Sequence, residues 1–425
     1  MKSIFKKAIV LGAVVVGFTV NAQHKELKNV RAADQTGINI FETPKDTTST
    51  DNNVFVKIGG AFALQFQNLA HENSGDVALF NLGNNFNLAT ANLDFDVRLY
   101  DGVNLHLRTY LSSRHHPEPY VKGGYITIDK LDFIKEGFLK NVMDRVTLKF
   151  GHMENNYGDA HFRRSDNAQA LYNPFVGNYI MDAFTTEVGA EVYYQHNGWL
   201  GMVGVTNGRL NQDAKGGTSP STLLKLGYDK QIDSDLRVRL TGSMYHTAQT
   251  TDAYLYTADR AGSRYYYVME GEGATSKGNF RSGRFDPGFK NQMTAFMVNP
   301  FVKYKGIEFF GLVEAVSGKT NAETEKRNTM QYGAELLYRF GGNENFYVGG
   351  RYNLVDGELA STDGGITKGD NVDISRFNLG AGWFMTKNMV IKLEYVNQKY
   401  DGYSPGKILT DGKFNGLMAE AVISF

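Results

Sequence analysis

Within eight residues the chain places Asp159, His161, Arg163, Arg164 and Asp166, a mixture of both charge signs suited to filtering ions or orienting dipolar solutes at a narrowing. The blander reading is a solvated loop over a mouth, and Arg163 and Arg164, as neighbours on an extended backbone, point apart. Enzyme chemistry would need companion motifs, and the sequence has neither a Gly-x-Ser-x-Gly elbow nor a His-Glu-x-x-His helix. Gly318-Lys319-Thr320 resembles the end of a phosphate-binding loop, but the leading Gly would fall where Val313 stands. His115-His116 beside Pro117 reads as a solvated pair rather than a metal site. The chain has no Cys, which removes disulfides, thiol catalysis and iron–sulfur ligation. No catalytic residue, metal or cofactor is therefore expected.

A wider set of charges alternates with apolar residues: Lys57, Asp94, Asp96, Arg98, Arg108, Lys149, Lys225, Arg237, Arg239, Lys303, Glu308, Glu314, Arg339, Arg351 and Lys392. Alternate residues of a strand share a face, so these are the candidates for lining one polar surface. The same parity carries Asp129, Glu187, Glu191, Asp229, Glu335, Glu394 and Glu420. Interspersed signs fit pairing across neighbouring strands at least as well as an anion path. Arg237 and Arg239 read either as an anion rung or as partners of acids on adjoining strands, and Glu308 and Glu314 invite the same two readings with the sign reversed.

The elements that would position these charges are strands. Val103, Leu105, Leu107 and Leu111 share one face against Asn104, His106, Arg108 and Tyr110, and Leu236, Val238 and Leu240 oppose Arg237, Arg239 and Thr241. Tight turns with Gly, Asn or Asp, such as Asp101-Gly102, His196-Asn197-Gly198 and Lys387-Asn388, alternate with long polar stretches at 68–85, 113–121, 155–183, 208–220, 248–292, 319–327, 355–371 and 402–412. One tight link reads as a short amphipathic helix, Leu131 to Val142, with Phe133, Ile134, Phe138 and Leu139 available for packing. The breaks delimit about sixteen strands, an even count with both ends on the short-turn side. This predicts an all-β fold: a transmembrane antiparallel up-and-down β-barrel with short periplasmic turns and long extracellular loops. Closure satisfies every backbone group without an edge. Tyr194, Tyr304, Tyr338, Phe346 and Trp383 fall near tight turns on the apolar parity, as an aromatic girdle requires, and the chain ends in a strand whose last residue, Phe425, has the same parity. Soluble sandwiches and propellers would show shorter strands and no long–short loop rhythm.

The N-terminus carries Lys2, Lys6 and Lys7 before an apolar run from Ala8 to Val20, then small residues ending at Ala22. That is a signal-peptide pattern with cleavage after Ala22; the run is shorter than the roughly 20 residues a spanning helix needs. Removing the three Lys leaves 42 basic against 45 acidic residues, which argues against a nucleic-acid partner. The expected organisation is a leader at 1–22, a periplasmic segment or linker at 23–53, and a barrel at 54–425. Ile38, Ile40 and Phe41 in the second segment could anchor it or plug the barrel.

From Arg145 to Ser165 the chain reads Arg-Val-Thr-Leu-Lys-Phe-Gly-His-Met-Glu-Asn-Asn-Tyr-Gly-Asp-Ala-His-Phe-Arg-Arg-Ser, followed by Thr186-Glu-Val-Gly-Ala-Glu-Val. This wording resembles the porin family named for the phosphate-selective porins O and P, in its Bacteroidota form. The resemblance implies a 16-stranded channel in the outer membrane of a Gram-negative bacterium, a homotrimer, and a loop after the fifth strand folded into the lumen. It does not fix phosphate as the solute. The expected function is passive diffusion of small hydrophilic solutes and ions, with phosphate and other anions as candidates and outer-membrane lipids as surroundings. The alternative is a barrel serving as a binding or adhesion scaffold, with Tyr254, Tyr256, Tyr265, Tyr266 and Tyr267 of the 248–292 loop as its recognition surface or as a lid.

Overall fold

The computed structural model describes residues 27, 30–43, 45, 52–112, 119–165, 170–209, 216–257, 266–361 and 368–425. The leader at 1–22, His115, His116, Asp166 and Tyr265 lie outside the described residues. The first eight strands are β1 (Phe55–Glu72), β2 (Asn85–Tyr100), β3 (Val103–Ser112), β4 (Tyr120–Ile128), β5 (Val146–Glu154), β6 (Thr186–His196), β7 (Trp199–Thr206) and β8 (Ser221–Gln231). The second eight are β9 (Leu236–Thr247), β10 (Gln292–Tyr304), β11 (Ile307–Lys319), β12 (Arg327–Phe340), β13 (Phe346–Ala360), β14 (Lys368–Thr386), β15 (Met389–Asp401) and β16 (Lys413–Ser424). Each pairs antiparallel with its neighbours in sequence, and β1 pairs with β16 from Ala61↔Ser424 to Glu72↔Lys413, which closes the barrel.

The two-residue period decides which face each side chain takes. On β9, Arg239 and Thr241 are buried while Leu240 is exposed; on β14, Arg376 and Asn378 are buried while Phe377 and Leu379 are exposed. The polar set thus points inward and the apolar set outward, the reverse of a soluble protein and the arrangement that suits a lipid-facing wall. The expected aromatic band is present: Tyr338, Phe340, Phe346 and Trp383 stack in a row across β12, β13 and β14, with centroids 5.6, 5.7 and 6.1 Å apart. Phe425 is exposed beside Gly60, to whose carbonyl its N–H donates at 2.9 Å. The tight β6–β7 turn has positive φ at both Asn197 (51°) and Gly198 (87°), as a two-residue hairpin demands.

Two expectations are corrected. The link after β4 holds only a four-residue helix, α1 (Lys140–Met143), because Gly137 and Leu139 take left-handed φ of 69° and 51° and interrupt any longer one. Its apolar residues Phe133, Ile134, Phe138 and Leu139 are exposed at the rim rather than packed. The stretches expected as loop at 68–85 and 355–371 are strand in part: β1 continues to Glu72 opposite Lys413, with which it forms an ion pair at 2.6 Å, and β13 runs to Ala360 with β14 starting at Lys368.

Candidate functional site

Most inward charges of the wall pair across the ladder. Arg108 Nε and Nη2 donate to Asp94 Oδ1 and Oδ2 at 2.6 and 2.8 Å, and His106 Nδ1 lies 2.7 Å from Asp96 Oδ1. Lys149 sits 3.3 Å from Glu191, Arg237 Nε donates to Asp229 at 2.8 Å, and Arg351 Nε donates to Glu335 at 2.8 Å. Lys303 lies 3.6 Å and Arg339 2.8 Å from Glu308, and Lys392 pairs with Glu420. Several of these couples are directly opposed in register, including Asp94↔Arg108, Lys149↔Glu191, Glu335↔Arg351 and Lys392↔Glu420. Arg98 is buried with its guanidinium 5.8 Å from the Phe55 ring centroid.

The segment between β5 and β6 folds into the lumen. A chain there has no ladder, so its backbone groups must find partners on the wall. The wall side chains supply them: Val176 N donates to Glu394 at 2.9 Å, Ile180 N to Asn353 at 2.6 Å and Met181 N to Gln331 at 3.0 Å. In return Lys392 donates to the Ala170 and Asn173 carbonyls at 2.8 and 3.0 Å, Arg351 to Gly177 O at 2.7 Å and Arg376 to Asn178 O at 2.6 Å. Glycines on the wall leave room for the loop's rings: a Cβ at Gly380 would lie 2.9 Å from the Phe175 ring, and one at Gly333 2.5 Å from the Tyr179 ring.

The loop's charged residues are absorbed by this docking. Asp159 accepts from Arg239 Nε at 2.8 Å and pairs with Lys225 at 2.8 Å; burial opposes its charge, but the two cations hold its pKa far below the carboxylate range. Arg163 donates to Glu335 at 3.0 Å and to Asn39. Arg164 makes a two-pronged contact with Asp182 at 3.0 and 2.7 Å. Burial alone would raise the Asp182 pKa, yet Arg164 keeps it below its ordinary value. His161 lies 2.6 Å from Glu154 and 3.0 Å from Asn156 Oδ1, and burial lowers its pKa.

A second internal element is the chain ahead of the barrel, residues 30–43 with Lys45, which crosses the turn-end mouth as a strap. At one side Gln35 N donates to Lys387 O at 2.7 Å and Gln35 Nε2 to Asn343 O at 2.7 Å. At the other, Lys45 Nζ donates to Asp129 Oδ1 at 2.9 Å and to Val146 O at 2.5 Å. Between them Phe41 is buried against Phe162 and Phe301 at centroid distances of 5.9 and 5.5 Å. Glu42 bridges Lys225 at 2.8 Å and Arg239 at 2.6 Å; burial works against its charge, but those cations lower its pKa to about 2. Arg31 lies 3.5 Å over Tyr172 and donates to Phe162 O at 2.9 Å.

The loop after β9 also turns inward. Tyr256 donates to Glu314 at 2.5 Å, joined there by Tyr157 at 3.0 Å, and Tyr266 donates to Glu394 at 2.5 Å. Tyr256 and Tyr266 are therefore buried in the lumen and do not form an outward recognition surface, since inward carboxylates give their hydroxyls partners that a buried phenol needs.

These elements fill the side of the lumen facing β8–β16 and leave a cavity of about 280 Å³ against β1–β6. It is lined along most of β4, from Asp129 at the turn end to Lys122 near the loop end, and by Phe41, Glu42 and Lys45 of the strap. Of the charged wall positions read from the sequence, Lys57, Asp94, Asp96, Arg108 and Lys149 face this cavity. Lys225, Arg239, Glu308, Glu314, Arg339, Arg351 and Lys392 are buried behind the loop and strap. Sequence reasoning missed Glu42, Lys45, Lys122 and Tyr125 as cavity residues; the alternating pattern around Lys122 was the available signal, whereas nothing local marks Glu42.

No family model and no curated protein matches the chain. Among solved structures it is similar to an anion-selective porin from Comamonas acidovorans, at 10% identity and a TM-score of 0.54, covering 88% of this chain and 100% of that one. It is also similar to OprB of Pseudomonas putida, at 12% identity and a TM-score of 0.52 over 87% of this chain and 93% of that one. The outer membrane channel DcaP of Acinetobacter baumannii aligns at 11% identity with a TM-score of 0.51, over 88% of this chain and 97% of that one. At this identity the likeness concerns the fold: the chain is a closed 16-stranded antiparallel barrel of the kind these outer-membrane proteins share.

Proposed function

We propose that the chain is an outer-membrane porin: a barrel, exported with cleavage after Ala22 and spanning the membrane from residue 54 to 425, through which small hydrophilic solutes diffuse down their gradients. The observation that carries this reading is the cavity along β4, lined by charged side chains, inside a closed wall whose outer face is apolar. Water in that passage carries the solute, and the infolded loop and strap set its width. No bond is made or broken.

Paired charges make the passage weakly selective among ions. Arg163, Arg164, Arg237 and Arg239 each hold a carboxylate, which supports a general diffusion pore over a phosphate ladder. Assembly as a homotrimer belongs to the same reading and is checked by native mass spectrometry of detergent-extracted protein. The functional test is planar-bilayer conductance with the reversal potential in a salt gradient, repeated with phosphate against chloride. Stepwise conductance with a small reversal potential is expected; block by phosphate would instead make the inward Arg and Lys an anion path. The second reading, a closed scaffold for binding, is favoured by the extent to which loop and strap fill the lumen, and reproducible silence in the bilayer would establish it over the pore.

A further inference from the structure

We infer that the cavity against β1–β6 is a binding site for an uncharged polyhydroxy solute of one or two rings. The inference rests on the pore reading only for how the solute arrives; the site itself is argued from its walls. Three carboxylates on the β2–β4 side are already taken: Asp94 by Arg108 at 2.6 Å, Asp96 by His106 at 2.7 Å and Asp129 by Lys45 at 2.9 Å. Lys57 lines the same cavity, but an anion bound there would also face Asp96, directly opposite it in register, and engaging the other cations means separating enclosed pairs, which is costly. A zwitterion would need separated, uncompensated poles, and the opposite signs here are interleaved in contact.

Neutral hydroxyls meet no such obstacle. A paired carboxylate retains lone pairs, so Asp94 and Asp96 can still accept from a hydroxyl, and Lys57, which lines the same cavity, can donate to one in a charge-assisted hydrogen bond. The cavity also has aromatic walls. The His106 and Tyr125 rings lie 5.1 Å apart and tilted by 33°, with Lys149 4.7 Å over Tyr125 and Arg31 3.5 Å over Tyr172, and Phe162 and Tyr193 also line the space. A solute with hydroxyls at its edge and C–H groups on its faces satisfies both kinds of wall, whereas phosphate uses only one. The volume, about 280 Å³, lies near the lower end for small-molecule sites, roughly 300 Å³ and upward, which limits the solute to one or two rings.

The test uses full-length protein in detergent micelles and saturation-transfer NMR with glucose, maltose, glycine and inorganic phosphate as probes. Transfer to the ring C–H protons of glucose or maltose, undiminished by phosphate, is the expected result, and Tyr125→Ala and Asp96→Asn should each weaken it by about tenfold. Retention of the heat-dependent gel shift of a closed barrel shows that a variant is folded; two substitutions of different chemistry guard against one that is not. Displacement of the sugar by phosphate, or no transfer to either sugar, overturns the proposal. Bilayer conductance measured on the same preparation separates the two readings: sugar transfer with a silent bilayer keeps the site and removes the pore, and conductance without sugar transfer keeps the pore and removes the site.

Discussion

Replacing Glu42 by Gln should release the strap from the lumen. Glu42 Oε1 lies 2.8 Å from Lys225 and Oε2 2.6 Å from Arg239, and those two cations hold its pKa at about 2 against an ordinary 4.5 in spite of its burial. At about 1.36 kcal/mol per pH unit this corresponds to about 3 kcal/mol, the lower part of the roughly 3–5 kcal/mol for breaking a buried pair. The lower part is right because Asp159 remains beside both cations, 2.8 Å from each, so neither is left bare. Expressed wholly in strap docking, about 3 kcal/mol raises the undocked population roughly a hundredfold. Hydrogen exchange of the segment 30–43, corrected for intrinsic rates, reads this directly, and bilayer conductance should rise in parallel since Phe41 and Glu42 line the cavity. The pH dependence has a definite sign. A carboxylate whose pKa is depressed on docking contributes fully above about 4.5 and loses its contribution as pH falls toward about 2. Wild-type protection should therefore be flat from pH 8 to 5 and decline below, while Glu42→Gln shows a smaller decline, that of Asp34, whose bonds to Thr36 and Lys387 also hold its pKa below the ordinary value. Equal protection in the two proteins would refute the reasoning and leave Phe41 and Lys45 as the anchors.

Other perturbations address the loop and the wall. Gly380→Leu should push the infolded loop outward, since even a Cβ there meets the Phe175 ring at 2.9 Å, and the expected readout is larger and noisier single-channel conductance with the gel shift retained. Arg351→Met removes donors to Gly177 O and Asn173 and should raise the exchange rate of 173–181 while β12 and β13 stay protected. Trp383→Ala ends the stacked row on Phe346 and should lower stability in lipid vesicles by about 1 kcal/mol, measured by urea titration. Deleting Phe425 removes its two main-chain bonds to Gly60 at the β1–β16 seam and should reduce the fraction of closed barrel on refolding.

The barrel was largely legible because period two in sequence is face in structure. The starts of β3, β7 and β15 fall directly after the turn residues read from the sequence, and Tyr338, Phe346 and Trp383 take the outward parity read from their neighbours. Parity tells that Arg351 and Lys392 point inward but not what stands across the lumen. Their partners, Gly177 O and Asn173 O, are separated from them by 174 and 219 residues and are reached through backbone atoms that have no sequence signature. The same blindness hid the role of Glu42, whose partners Lys225 and Arg239 lie on strands far along the chain. The link after β4 failed differently: its apolar spacing suggested helix, but left-handed Gly137 and Leu139 broke the period.

The strap also bears on the order in which the molecule acquires its structure. Its hydrogen bonds join Lys45 to Asp129, Asn39 to Glu308 and Gln35 to Asn343, across 84, 269 and 308 residues. Loop closure over such distances gains nothing until the intervening hairpins have formed, whereas each hairpin closes over a short turn. This early part of the chain is thus among the last to find its place, locked only after β11–β15 have brought residues 308, 343 and 387 to the mouth. Refolding should accordingly show a late phase, after barrel closure, in which the segment 30–43 alone gains protection.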